Sequence, residues 1–132
     1  MGIILDTDVI IAGERGTLAL ENWMASRPDE VFAVATITVA ELMHGVERAT
    51  AAHRAKRQSY IENILSVIRI IPYLDSTARR HAQLWARLEA KGQMIGDYDM
   101  LIAATALEHG AAVATFNKKH FAAIPGLKVL EP

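Results

Sequence analysis

Gly2-Ile3-Ile4-Leu5-Asp6-Thr7-Asp8 decides how this chain is read. A short unbroken apolar run ending in polar residues is the pattern of a strand buried on both faces, as in a parallel sheet. Open parallel sheets bind ligands beyond the carboxyl ends of their strands, and Asp6 stands where this strand ends. Aspartate there can simply cap the following helix. That explains one acid and leaves open whether the chain brings others to the same edge.

Similar apolar runs recur. Val31–Ala35, Val67–Pro72 and Ala111–Thr115 read as three more strands, and Leu127–Leu130 as a short last one. Helical stretches lie between them. The expectation is an α/β fold in one domain, 1–132: a parallel sheet of four to five strands with helices on both faces. Its composition is globular, with 52% hydrophobic and 22% charged residues. No cysteine is present, which excludes a disulfide framework, thiolate zinc and a cysteine nucleophile, and fits a cytoplasmic protein. No apolar run reaches the ~18 residues of a membrane helix. The formal net charge of −1 gives no overall basic excess of the kind a nucleic-acid binder usually shows. Positive charge does collect locally, at Arg48, His53, Arg54, Lys56 and Arg57 and again at Lys118, Lys119 and His120.

Several local readings follow. Val9–Ala12 starts a helix that Gly13 and Gly16 break, and Thr17 caps the next, over Leu18–Ser26. Thr38 and Glu41 have the spacing of a capping box. Glu41 nevertheless falls opposite the apolar face of Val39, Leu42, Met43 and Val46, near His44 and Arg48, so a polar cleft is open to it. A helix from Ser76 or Thr77 to Lys91 buries Ala78, His81, Ala82, Leu84, Trp85 and Leu88. Asp97 reads as the N-cap of a helix that is apolar all round. Asp99, at the mouth of that helix, needs a partner, and no Arg or Lys lies nearby in sequence. Phe116–His120 reads as a loop leaving the fourth strand. Thr115 and Asn117 reach the same rim with it.

Asp6, Glu41 and Asp99 each follow a strand or open a helix, so one rim gathers three carboxylates. Two unit charges ~4 Å apart repel by ~4 kcal/mol at an effective dielectric of ~20. Protons or a cation must neutralise such a set. Hard oxygen donors without cysteine or paired histidine suit Mg²⁺ or Mn²⁺, and a cation held this way supports phosphoryl chemistry.

Four stretches carry a family resemblance: Ile4–Ile10, Thr36–Leu42, Ile95–Ala104, and Val113–Phe121 with Ile124–Leu127 after it. Each is weak alone. Together, in this order and over the whole chain, they resemble the PIN-domain ribonucleases of the VapC toxin type. The resemblance implies a PIN-like fold and Mg²⁺- or Mn²⁺-dependent cleavage of single-stranded or loop RNA. It also implies a homodimer and a cognate VapB-type antitoxin. Asp6, Glu41 and Asp99 match the three catalytic acids that hold the metal in that family. Thr7 matches a hydroxyl that orients the first acid. Asp97 is extra to the pattern, a further metal ligand or only a cap. Asp8 stands for a common Asn or Ser and, with Thr7, Thr115 and Asn117, belongs around the ligands. Asn117 falls where many members have a fourth acid, which puts a second metal in doubt, and His120 where this type often has Asp or Glu. Candidate RNA contacts are Arg48, Arg54, Lys56, Arg57, Lys118 and Lys119.

Asp6-Thr7-Asp8 also resembles the opening of haloacid-dehalogenase-type phosphatases. That implies a phosphomonoesterase with Asp6 as nucleophile. Ile10 departs from that pattern, Lys91 is too close to Gly96, and Glu41 is left without a role. A PIN-like module that binds RNA or a partner without cutting is the remaining alternative. Repulsive carboxylates bring a pure binder no advantage.

Overall fold

The computed structural model describes residues 2–132. Among them the strands are β1 (Gly2–Leu5), β2 (Val31–Ala35), β3 (Arg69–Ile71), β4 (Ala112–Ala114) and β5 (Val129–Leu130). The helices are α1 (Thr7–Arg15), α2 (Leu20–Ala25), α3 (Thr36–Arg48), α4 (Ala51–Val67), α5 (Asp75–Ala90), α6 (Asp97–Glu108) and α7 (Lys118–Phe121). The sheet order is β3-β2-β1-β4-β5, and every pairing is parallel. The α/β expectation therefore holds.

Alternation along β1 divides the core. Ile3 and Leu5 pack with Val9, Ile10, Leu20, Leu42, Val46, Ile61 and Ile64 on the face covered by α1 to α4. Ile4 packs with Leu84, Leu88, Met100, Ile102 and Phe121 on the face covered by α5 to α7. The chain winds outward from β1 to β3, then returns to β1's other side with β4. The reversal lies at β1, so the crevice that such a switch opens is beyond Leu5. Asp6 occupies it.

Local readings depart from the structure in several places. Helix α1 runs through Gly13 and ends at Gly16, whose φ of 78° puts it in the left-handed region that glycine tolerates. Gly13 is there for close approach, since a Cβ would meet the Tyr60 hydroxyl and Leu20. Thr17 does not cap α2. Its hydroxyl donates back to the Ala12 carbonyl, and α2 starts after Ala19. The Thr38–Glu41 capping box does not form, because α3 starts at Thr36, directly where β2 ends. The buried line of α5 is Thr77, Leu84 and Leu88. Ala82 is exposed, and Trp85, 49% exposed, stacks on His81. Gly96, not Asp97, is the N-cap of α6. Residues 118–121 form the short helix α7 in place of a loop, anchored by the fully buried Phe121.

Candidate active site

Asp6 directly follows the end of β1 and caps α1. Its Oδ1 accepts from the Thr7 amide at 2.8 Å and its Oδ2 from the Thr115 hydroxyl at 2.7 Å. It is only 5% exposed. Burial, then the charge of Asp8, push its carboxyl up to about 7, with Asp99 adding to the rise. The hydrogen bonds from Thr115 and Thr7 oppose it. Burial also raises Asp8 and Glu41, again with a contribution from Asp99. The four carboxylates Asp6, Asp8, Glu41 and Asp99 thus share one field. The groups that hold these values down are neutral hydroxyls and backbone amides.

Glu41 reaches the site because α3 begins at the carboxyl end of β2. Its Oε1 accepts from the Thr7 hydroxyl at 2.7 Å. This corrects what the family resemblance implies for Thr7. The Thr7 hydroxyl serves Glu41, the second acid, while the Thr115 hydroxyl holds Asp6. The Thr7 oxygen also lies 3.2 Å from the hydroxyl of Thr38, a residue that the capping-box pattern had assigned elsewhere.

Asp99 obtains its partner from α7. His120 Nδ1 stands 2.7 Å from Asp99 Oδ2. The sequence contained the signal for a missing partner, but residue 120 lies outside the reach of helical spacing. Asp8 fastens the loop before α7: its Oδ2 accepts from the Phe116 amide at 3.1 Å and from Asn117 Nδ2 at 3.3 Å. Thr115 also comes within 3.4 Å of that oxygen. Asp8 Oδ1 is buried with no hydrogen-bond partner. Asp97 lines an opening with Glu41, Gly96, Tyr98 and Asp99. It lies beside the acids and is exposed.

Among the described residues no group of three or more Asp, Glu or His is arranged to hold a metal ion as it stands.

The basic candidates separate into two kinds. Arg54 donates to the carbonyls of Glu47 and Ala49, closing the end of α3. Arg57 pairs with Glu14 at 3.0 Å and donates to the Gly45 carbonyl. Both tie helices together. Lys56, Lys118 and Lys119 are exposed. Arg48 lines a cleft of about 380 Å³ with Ile10, Arg15, His44 and Arg57, and Glu41 joins this cleft to the acids.

The acids Asp6, Glu41 and Asp99 are thus brought to one rim by three different elements. Glu41, which the phosphatase reading leaves idle, is bonded into the site. The sequence matches the PIN domain family over residues 3–127. It is 37% identical over 131 residues to ribonuclease VapC1 of Rickettsia felis, covering 98% of this chain and 96% of that protein. It is 34% identical, with the same coverage, to ribonuclease VapC of Rickettsia bellii. The fold superposes with a TM-score of 0.92 on a chain of the VapBC2 crystal structure from Rickettsia felis, solved with a DNA fragment from their promoter. That match has 28% identity and covers 100% of this chain and 99% of the other. A chain with these acids on this sheet, and with this similarity over nearly its whole length, belongs to the PIN-domain family, among the VapC ribonucleases.

Proposed function

We propose that the protein is a Mg²⁺- or Mn²⁺-dependent endoribonuclease, the toxin of a toxin–antitoxin pair, cutting single-stranded or loop RNA. One observation carries this reading. A buried aspartate, raised to about 7, shares its field with Asp8, Glu41 and Asp99, and the groups that offset it are neutral donors.

The donor set suits a hard cation. It consists of carboxylate oxygens without thiolates, and one further oxygen, Asp8 Oδ1, is buried without a partner. Asp6, Glu41 and Asp99 would hold the ion, with Asp97 at the edge of the opening. A divalent cation held there would acidify a water and neutralise charge at the leaving oxygen. The remaining work falls to the chain. Thr115 and the Thr7 amide fix the Asp6 carboxylate, the Thr7 hydroxyl fixes Glu41, and His120 fixes Asp99. Asp8 holds residues 116 and 117 close to Asp6, and with them the start of α7. Lys118 and Lys119 then stand exposed near the acids as phosphate contacts, and Arg48 extends the positive charge along the cleft. The two engaged arginines, Arg54 and Arg57, contribute more to helix packing than to RNA.

The structural neighbour in complex with its partner supports a VapB-type antitoxin for this chain. An acidic rim favours inhibition by a basic side chain entering it. A homodimer belongs to the same reading, and so does a cytoplasmic location.

The test is cleavage of total RNA by the purified protein, free of antitoxin. We expect cutting with Mg²⁺ or Mn²⁺, none with EDTA, and a loss of about 10²-fold or more in Asp99→Asn. RNA that is bound with and without metal and left intact would replace this reading with the non-cutting module.

A further inference from the structure

Thr38 is fully buried, lies in the first turn of α3, and has no assigned part in the site. Its neighbour across the core is Thr7. The Thr7 hydroxyl has one hydrogen. It lies 2.7 Å from Glu41 Oε1 and 3.2 Å from Thr38 Oγ1. The shorter distance is that of a hydroxyl donating to a carboxylate, the stronger of the two bonds. The Thr7 hydrogen therefore goes to Glu41, and its oxygen is left to accept from Thr38. The direction runs from Thr38 to Thr7 to Glu41. From this first turn the Thr38 hydroxyl reaches across to Thr7 of α1.

We propose that Thr38 is a positioning residue for Glu41, acting through Thr7. Its hydroxyl fixes the rotation of the Thr7 hydroxyl and thereby the direction of the Glu41 carboxylate. This rests on the ribonuclease reading for its effect on cutting, though not for its effect on the acids themselves.

The test compares Thr38→Val, Thr38→Ser, Thr7→Val and the double variant Thr38→Val/Thr7→Val. Two readouts are used: cleavage of an RNA that the wild-type protein cuts, and Mn²⁺ titration of the RNA-free protein followed by electron paramagnetic resonance. The loss of one neutral hydrogen bond sets the scale at about 10-fold. Thr38→Val should lower the cleavage rate at saturating RNA by about that factor with KM unchanged, and weaken Mn²⁺ binding. Thr38→Ser, which keeps the hydroxyl, should restore both. In the Thr7→Val background Thr38→Val should add nothing, because its route to Glu41 is already cut. Thr38→Ala carries the same comparison if valine prevents folding. Wild-type behaviour in Thr38→Val overturns the proposal, as does an equal loss in the Thr7→Val background, which marks a merely structural role. A wild-type protein that binds Mn²⁺ without cutting sinks the ribonuclease reading, and the Mn²⁺ midpoints alone then judge Thr38. Wild type that neither binds Mn²⁺ nor cuts overturns both.

Discussion

The two sides of the acidic rim are built differently. On the β2 side, Glu41 is held by Thr7, with Thr38 behind it, and both threonines are buried between α1 and α3. On the β4 side, Asp99 is held by His120, and Asp8 by residues 116 and 117, in a segment exposed from Phe116 to His120. The first side is fixed by core packing, so it can move only if α1 and α3 move. The second depends on a four-residue helix pinned by Phe121. Exposed hydrogen bonds and few buried contacts mark segments that open locally at low cost. One side of the site is therefore rigid and the other adjustable. Asp6, between them, borrows from both: the Thr7 amide on one side and the Thr115 hydroxyl on the other.

Breaking the centre should have the largest effect. Asp6→Asn is expected to lower RNA cleavage by about 10²–10³-fold. It should also remove a stability trend. The folded value of about 7 lies above the ordinary 3.8. The contribution of Asp6 to stability is thus fully present below pH ~4 and lost as pH rises through ~7. Asparagine, which also caps helices well, has no such loss. Urea unfolding without metal should show the variant gaining on wild type between pH 5 and pH 8. A constant difference would contradict the buried, uncompensated carboxylate. By the same sign, protons compete with the cation at Asp6. Half-maximal cleavage should need less Mg²⁺ at pH 8 than at pH 6.

Next comes the adjustable side. His120→Ala removes the Asp99 partner from an exposed position, so the melting temperature should change little while cleavage falls by about 10-fold. A large drop in melting temperature would mean that α7 is as rigid as the β2 side, and the contrast would fail. The smallest effect is expected at Asp97. It lies beside the opening, but the N-cap position belongs to Gly96. Asp97→Asn should alter cleavage by no more than about 3-fold, as befits a change in an exposed charge. A loss as large as that of Asp99→Asn, measured in the same assay, would make Asp97 a ligand.

Much of this was legible in the residues. Strand β1 showed as an unbroken apolar run because a strand covered on both faces has no polar side. Asp6 was placed by the end of that run. Glu41 was freed from the core by helical periodicity, and Asp99 was recognised as needing a partner because α6 is buried nearly all round. What misled were signals with two meanings. Thr38 and Glu41 have capping-box spacing, yet α3 starts two residues before Thr38, straight from β2, and the threonine turns into the core. Gly13 read as a breaker when its lack of a side chain admits Tyr60 and Leu20. Trp85 read as buried because it is large and apolar, but α5 buries a narrower stripe than its pattern suggests.

The sequence by itself determined the order of the strands and of helices α1 to α6, and the end of the sheet at which Asp6, Glu41 and Asp99 lie. These depend on periodicity and on neighbours a few residues apart. Only the tertiary structure decided who holds each acid. Thr7 with Glu41 spans 34 positions, His120 with Asp99 spans 21, and Thr115 with Asp6 spans 109. Such pairings are set by the order in which strands lie in the sheet and by the packing of α1 against α3 and of α6 against α7. A hydroxyl or an imidazole ring carries no mark in the sequence of which distant carboxylate it will face.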